Sequence, residues 1–255
     1  MYYVYIYNAM LLMTTKRLPK TKTSDESNPG FRPIQTNNLS EAVADQIVEA
    51  IGSKRILSGQ RLFETELAQQ LSVSRVPVRE AFLVLQSQGV MRTTPRRGSH
   101  VIDLDETWAR ETYEARTALE TICFLRAAKT IRTTAEALAT VENNIEAIRM
   151  ACVTGDKAAI NRADLAFHTA IYQMSDSPLL QTLWNAMSRH VMIMFGLVIY
   201  RHNDFATIID EHVELRDALV KGSSDEIAVA VARHVIGPFD SKALAEKAYA
   251  TATKT

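Results

Sequence analysis

The stretch from residue 59 to residue 101 constrains the fold of this chain more than any other part. It reads GQRLFETELAQQLSVSRVPVREAFLVLQSQGVMRTTPRRGSHV. Its apolar spacing predicts a short helix over 64–71, a turn over 72–74 and a second helix that Ser74 caps and that Gly89 ends. Two helices joined by so short a turn are typical of a helix-turn-helix, whose second helix enters a DNA major groove.

A basic hairpin follows these helices. The pattern predicts short strands over 90–93 and 99–102, joined by the turn Pro95-Arg96-Arg97-Gly98. Between Arg75 and Val101 there are five arginines and one acidic residue, although the whole chain balances 29 basic against 29 acidic residues. A basic patch on a neutral chain indicates one face that binds a polyanion.

The arginines of this patch are expected to contact DNA. Arg75 and Arg79 are four residues apart, hence on one helix face, and arginine can read guanine bidentately. In the hairpin, Arg96 and Arg97 can enter the minor groove or hold phosphates. The full set of candidate DNA-binding residues is Thr65, Ser74, Arg75, Val76, Arg79, Arg96, Arg97 and Gly98.

The remainder of the chain has helical periodicity. Together with a helix that begins near Leu39, it predicts a mostly α fold: a winged helix-turn-helix of three helices and a hairpin, then an antiparallel bundle of about six helices. We place the DNA-binding domain at 34–102 and the helical domain at 103–250. The bundle helices are expected over 105–129, 134–153, 156–174, 178–200, 204–221 and 224–249, with a kink at Gly237-Pro238 in the last.

Three histidines and one carboxylate stand at suggestive positions in the bundle. Asp164 and His168 lie one turn apart on one helix, and His212 and His234 lie on two later helices. Side chains from several helices of a bundle can converge on one metal, so these four residues are candidate ligands. Such a set favours zinc and also suits nickel, cobalt, manganese or iron. His100, His190 and His202 have no partner at an informative spacing, and we assign them to the hairpin and to helix surfaces.

The N-terminus and the cysteines bear on location. The apolar run of 13 residues at the start is too short to span a bilayer, lacks a preceding basic residue and is a poor signal peptide. We interpret residues 1–33 as a disordered tail, with Met10 or Met13 as alternative starts. Cys123 and Cys152 do not form a metal-type pair and fit a reducing compartment, so a cytoplasmic protein without membrane contact is expected.

The first domain resembles the winged helix of GntR-family bacterial transcription regulators. The resemblance lies in Gly59-Gln60-Arg61-Leu62, Glu66-Leu67-Ala68, the run from Ser74 to Ala81, Leu85, Gly89 and Arg97-Gly98. Thr65 departs from the pattern, since some members carry a base-contacting arginine there, and the operator sequence therefore stays open.

The second domain resembles the FCD effector domain of the FadR-like branch of that family. The resemblance rests on the stretch from Tyr113 to Glu120 and on the order of Asp164, His168, His212 and His234. It implies a buried divalent metal beside a pocket for a small carboxylate effector. Arg116 would hold that carboxylate, with Glu120 beside it, although Glu120 at four residues' distance could instead form a structural ion pair with Arg116.

The leading hypothesis is a ligand-responsive regulator, most simply a repressor, that binds a palindromic operator of double-stranded DNA as a homodimer. A metal-dependent hydrolase is one alternative. However, no general base or nucleophile lies at a spacing that indicates a catalytic site, and this alternative leaves the winged helix unexplained. An architectural DNA binder without an effector is the other. The sequence leaves open the effector, the operator and its genes, the sign of regulation and the metal.

Overall fold

The computed structural model describes residues 39–200 and 205–236, and these are mostly helical. The expected tail over 1–33 and the expected kink at Gly237-Pro238 lie outside the described residues. The described chain begins with α1 (Leu39–Gly52), β1 (Arg61–Leu62), α2 (Glu64–Gln70), α3 (Arg75–Ser87), β2 (Met91–Thr94) and β3 (Gly98–Val101). It continues with α4 (Glu106–Thr133), α5 (Ala135–Thr154), α6 (Lys157–Met174), α7 (Pro178–Ile199), α8 (Ala206–Lys221) and α9 (Ser224–Ile236). The predicted fold class is confirmed.

Helix α3 buries one face and exposes the other. Val78, Ala81, Phe82 and Leu85 follow the helical repeat and are all buried. Ser74 precedes the helix in an extended conformation, as predicted, but its side chain makes no capping hydrogen bond. The opposite face of α3 is therefore fixed in position and left to solvent.

The hairpin belongs to a three-stranded antiparallel sheet of order β1-β3-β2. Strands β2 and β3 pair Met91 with Val101 and Thr94 with Gly98, each strand lying one residue from its predicted bounds. Strand β1, which pairs Arg61 with His100, was not predicted, because two residues are too few to show an alternating pattern. It ties the segment before α2 to the base of the wing.

The bundle helices begin at capping residues close to the predicted breaks. Asp105 accepts a hydrogen bond from the Trp108 amide at 2.9 Å, and Asp156 accepts from the amides of Ala158 and Ala159 at 3.0 and 3.1 Å. Helix α4 continues to Thr133, beyond the predicted end at 129. Among the described residues, none of the helices is both long enough and apolar enough to cross a membrane.

Helix α7 contributes to two hydrophobic cores. Trp184 and Val191 pack in the core of the bundle, whereas Met192 and Ile193 pack with α1 and α3. Gly196 of α7 meets Gly52 of α1 so closely that a Cβ on Gly196 would lie 2.9 Å from the Gly52 Cα. One helix thus contacts both the helix-turn-helix elements and the bundle.

Candidate functional site

The predicted DNA-reading residues of the helix-turn-helix lie on its solvent face. Arg75, Arg79, Thr65 and Ser74 are exposed, and Val76 is 62% exposed. A valine so open to water on a helix with a well-packed opposite face suits contact with a thymine methyl group. The structure brings these residues together on one surface formed by α2, the turn and the start of α3.

Both arginines of this surface bind one carboxylate that the sequence analysis did not identify. Glu64 Oε2 accepts from Arg75 Nη2 at 3.3 Å and from Arg79 Nε and Nη2, each at 3.4 Å. Glu64 is the first residue of α2, and 11 and 15 residues separate it from its partners. No rule of helical spacing connects such positions, so the sequence pattern gave no signal for this contact.

The wing presents its basic residues at the tip of the hairpin. Arg96 and Arg97 are exposed, and Arg96 has a φ of 65°, a region that non-glycine residues rarely adopt. Gly98 has a φ of 78°, and a Cβ there would lie 2.9 Å from Arg61 Nε. The turn therefore needs glycine for its backbone, and the guanidinium of Arg61, a residue that the sequence analysis also did not select, lies against it.

The four candidate metal ligands converge inside the bundle. Asp164 and His168 on α6, His212 on α8 and His234 on α9 are all buried. Each offers one ligand atom, and these four atoms lie within 4.8 Å of one another. His168 Nε2 is 3.0 Å from His234 Nε2, and His212 Nε2 is 3.2 Å from Asp164 Oδ1.

Neighbouring groups determine which nitrogen of each histidine faces this centre. His212 Nδ1 lies 2.7 Å from the Ile208 carbonyl oxygen, which can only accept, so Nδ1 carries the proton and Nε2 has a lone pair. Arg116 Nη2, which can only donate, lies 3.0 Å from His168 Nε2, so His168 likewise carries its proton on Nδ1, and a metal bound at Nε2 would take the lone pair that now faces this guanidinium. That Nδ1 lies 3.2 Å from Glu120 Oε2. Partners behind a histidine fix its tautomer in this way in metal sites.

Charges around the centre favour ionised carboxylates and a neutral imidazole. Burial raises the pKa of Glu120, but Arg116 and His168 outweigh burial and lower it to about 2. Burial also raises the pKa of Asp164, and His212, His168 and Arg116 together lower it below its usual range. Burial, with His212 and His168, lowers the pKa of His234 well below that of free imidazole. These are the protonation states in which such side chains bind a cation.

The residues of this centre fit a divalent metal ion. Nε2 of His212 makes no hydrogen bond within the described part of the chain, although it is fully buried beside the Asp164 carboxylate. Buried lone pairs facing each other cost free energy unless a cation or a proton lies between them. A metal about 2.0–2.2 Å from each of four tetrahedral ligands would hold the ligand atoms about 3.3–3.6 Å apart, and the four atoms here lie within 4.8 Å of one another.

Arg116 and Glu120, the two candidate effector-binding residues, lie against the metal ligands. Arg116 is 4% exposed and donates through Nε to Glu120 Oε1 at 2.8 Å, while its Nη2 contacts His168. Glu120 is fully buried between Arg116 and His168. The ion pair that was the alternative for Arg116 is therefore present, and it orients the guanidinium toward the cluster.

A second polar cluster, which the sequence analysis did not identify, joins α7 to α1 and to the end of α3. Arg189, buried on α7, donates to Glu41 and Asp45 of α1 and to Gln88 at the end of α3. It borders a groove of about 760 Å³ between α1, α6 and α7. The partners of Arg189 are 101 to 148 residues away in sequence, beyond the reach of any local pattern.

The remaining histidines differ in part from expectation. His100 lies in the wing as predicted, where its Nε2 accepts from Arg92 at 2.8 Å. His190 is not a plain surface residue. Its Nε2 lies 2.7 Å from the Gln88 carbonyl oxygen and its Nδ1 accepts from Trp108 Nε1 at 2.9 Å, so it links α3, α4 and α7. His202 lies outside the described residues.

Comparisons with known proteins agree on the type of protein. Residues 39–101 match the model of bacterial regulatory proteins of the gntR family, and residues 111–237 match the FCD domain. The gluconate operon transcriptional repressor of Bacillus subtilis (strain 168) is 33% identical over 177 residues, which cover 67% of this chain and 71% of the repressor. The "Probable D-xylose utilization operon transcriptional repressor" of Paenarthrobacter nicotinovorans is 28% identical over 204 residues, which cover 79% and 88% of the two chains.

Solved structures give the same fold. The structure of E. coli McbR/YncC superposes with a TM-score of 0.66 at 22% identity, covering 83% of this chain and 98% of that one. The crystal structure of "a putative transcriptional regulator GntR from Rhodococcus sp. RHA1" superposes with a TM-score of 0.58 at 21% identity, covering 78% of this chain and 94% of that one.

Proposed function

Because the chain belongs to the GntR family of bacterial regulatory proteins and carries an FCD domain, we propose that it represses transcription until a small organic acid binds beside a metal ion in its bundle. The chain is a DNA-binding transcriptional regulator and not an enzyme. The relatives that it matches are transcriptional regulators too. We further propose that the chain binds a metal and an effector, that it acts as a homodimer and that the effector releases it from DNA. It assigns DNA binding to residues 34–102 and effector binding to residues 103–250.

The buried four-ligand centre is the observation that carries this proposal. Asp164, His168, His212 and His234 bind the ion, with zinc the favoured metal and nickel, cobalt, manganese or iron also suited. A divalent ion in an octahedral shell would keep coordination positions beyond the four protein ligands, and these would be open to a carboxylate oxygen of the effector. A regulator without an effector, such as an architectural DNA binder, has no use for a buried ligand set that costs stability.

Arg116 gives the centre its preference for acids. Its guanidinium is buried, always charged and already oriented by Glu120, so a carboxylate arriving at the centre meets a pre-organised cationic partner. Two relatives of this chain are named as repressors of a gluconate operon and of a D-xylose utilisation operon. Sugar acids and other small hydroxy acids are accordingly the first effectors to test.

Helix α7 is the proposed route between effector and DNA. Trp184 of α7 lies with its ring 6.2 Å from the His168 ring and donates to Thr169 at 2.9 Å. Farther along the same helix, Arg189 and Gly196 contact α1. An effector that favours one position of α7 thereby changes the position of α1 and α3, and in a homodimer it changes the separation of the two recognition helices on a palindromic operator.

Metal analysis and thermal unfolding test the proposal together. We expect about one divalent ion per chain in purified wild-type protein, its loss in His212→Ala, and its retention in the matched control His100→Ala, which alters a histidine of the wing. Gluconate at 100 times its dissociation constant should stabilise the metal-loaded protein by about 2.7 kcal/mol. Glucose, which lacks the carboxylate, should not.

The outcomes separate the parts of the proposal. Stabilisation by acids that persists after a chelator has removed the metal would refute the metal site. If neither gluconate, L-lactate nor a wider panel of small acids shifts the unfolding of metal-loaded protein or releases it from DNA, the effector role is wrong. The DNA-binding assignment would survive that result, because it rests on other residues.

A further inference from the structure

Glu64 connects the two helices of the helix-turn-helix at the residues that face DNA. Its single oxygen Oε2 accepts from both Arg75 and Arg79, while the side chains of the two arginines stay 58% and 61% exposed. The Glu64 side chain itself is 27% exposed. The contact thus lies at the edge of the reading surface and leaves the arginines accessible to DNA.

The geometry leaves the reading edge of Arg79 free. Glu64 occupies its Nε and Nη2 edge, and no other hydrogen bond to Arg79 occurs within the described part of the chain. A guanidinium has five N–H donors in a fixed plane, so the end edge formed by Nη1 and Nη2 can still donate two parallel hydrogen bonds. Guanine O6 and N7 accept such a pair.

We propose that Glu64 is a positioning residue that determines the sequence specificity of this protein. It holds Arg75 and Arg79 in the orientation that reads guanine. It also neutralises part of their charge when the protein is not bound at its specific DNA site. This inference rests on the proposed reading role of the two arginines.

Two physical effects combine in this role. A free arginine side chain loses much rotamer freedom when it is fixed on a base, and a carboxylate that already holds the guanidinium reduces that loss at the specific site. On other DNA, arginines act mainly through phosphate charge, and a carboxylate beside them repels the phosphates and lowers their net charge. An exposed ion pair is weak, so it does not prevent the specific contact.

Binding-site selection from DNA duplexes tests the proposal without a known operator. Wild type, Glu64→Gln, Glu64→Asp and the control Glu66→Gln would each select from duplexes with a randomised centre of about two helical turns. Glu66 lies on the same helix and is exposed, but it makes no ion pair with either arginine in the described structure. Affinities would then be measured over a salt series for the duplex that wild type selects and for poly(dI·dC).

We expect Glu64→Gln to bind poly(dI·dC) about two- to fivefold more tightly, with a slope of log K against log salt steeper by about one. The duplexes that it selects should also show a weaker preference for guanine at the positions read by the arginines. Glu64→Asp keeps the charge but is shorter by one methylene, so it should keep the wild-type slope and still lose part of the guanine preference.

The proposal is wrong if Glu64→Gln matches Glu66→Gln in slope and in selected sequence. It is also wrong if Glu64→Gln loses affinity for both DNAs together with a fall in unfolding temperature, which would show a structural role only. Arg79→Ala separates this failure from that of the reading role itself: if Arg79→Ala selects the wild-type sequence, α3 does not read DNA through these arginines.

Discussion

Replacing Gly196 by alanine tests whether α7 and α1 are held in rigid contact. The new Cβ would lie 2.9 Å from the Gly52 Cα and 3.1 Å from Asn161 Nδ2. Carbon atoms pack at about 3.5–4.0 Å, so the two helices would have to separate by roughly half an ångström or more. The nearest obstacle is backbone, which cannot rotate away as a side chain can.

The expected cost follows from two opposing terms. Overpacking of this kind costs about 1–3 kcal/mol, whereas alanine in a helix interior is favoured over glycine by up to about 1 kcal/mol. The net effect should be a destabilisation of about 1–2 kcal/mol, which lowers the unfolding temperature of a chain of this size by about 2–8 °C. The shift should also weaken the Asn161 hydrogen bond to the Met192 carbonyl, 2.9 Å long in the structure.

The partner glycine provides the matched control. A Cβ on Gly52 would lie no closer than 3.4 Å to any atom of α7, an ordinary contact distance. Gly52→Ala should therefore leave the stability within about 0.5 kcal/mol of wild type or raise it slightly. Calorimetry of both variants with the metal content measured in parallel checks the prediction. A Gly196→Ala protein as stable as wild type would show that α1 and α7 are not in the tight contact described.

Two further variants report on the recognition helix and on its anchor. Arg79→Ala should weaken binding to the selected DNA, measured by fluorescence anisotropy, by about 1–3 kcal/mol and leave the unfolding temperature unchanged. An affinity equal to that of wild type would show that Arg79 of α3 does not read DNA. Trp108 Nε1 donates to Nδ1 of His190, which requires a neutral ring, and burial lowers the pKa of His190 against the opposing effect of the Gln88 carbonyl. The unfolded chain therefore binds more protons below the ordinary imidazole pKa of about 6.5, and stability should fall as the pH drops through this value. His190→Gln should flatten that pH dependence in denaturant titrations, and an equally steep profile would exclude His190 as its source.

The parts of the structure that the sequence predicted are those encoded by local spacing. The apolar repeat of α3 and the breaks at Asp156 and Pro178 depend on residues within a few positions of one another, and the structure confirms these elements. The four candidate metal ligands could be named because the chain resembles a family in which their order recurs. The structure brings them together, and metal binding itself stays a proposal.

The contacts that the sequence did not predict join distant segments. Glu64 is separated by 11 and 15 residues from its arginines, and Arg189 by more than 100 from Gln88. Such pairs depend on how the helices pack, and packing leaves no periodic signal in either segment. His190 was misassigned for the same reason, since its partners Trp108 and Gln88 come from other helices.

The contacts of α7 with α1 differ in how readily they can rearrange, and this difference bears on how an effector could act. Coupling between two binding sites typically amounts to about 1–3 kcal/mol. The carboxylates that hold Arg189 are partly exposed, at 38% for Glu41 and 57% for Asp45, so either one can turn to water, whereas the Arg189 guanidinium is buried and the loss of all its partners would cost about 3–5 kcal/mol. The contact of Gly52 with Gly196 has no side chain that could adjust. A signal of the usual size can therefore exchange one carboxylate of Arg189 for water, but not free the guanidinium, while the glycine contact acts as a pivot, and we expect α1 to rotate about that contact and not to separate from α7.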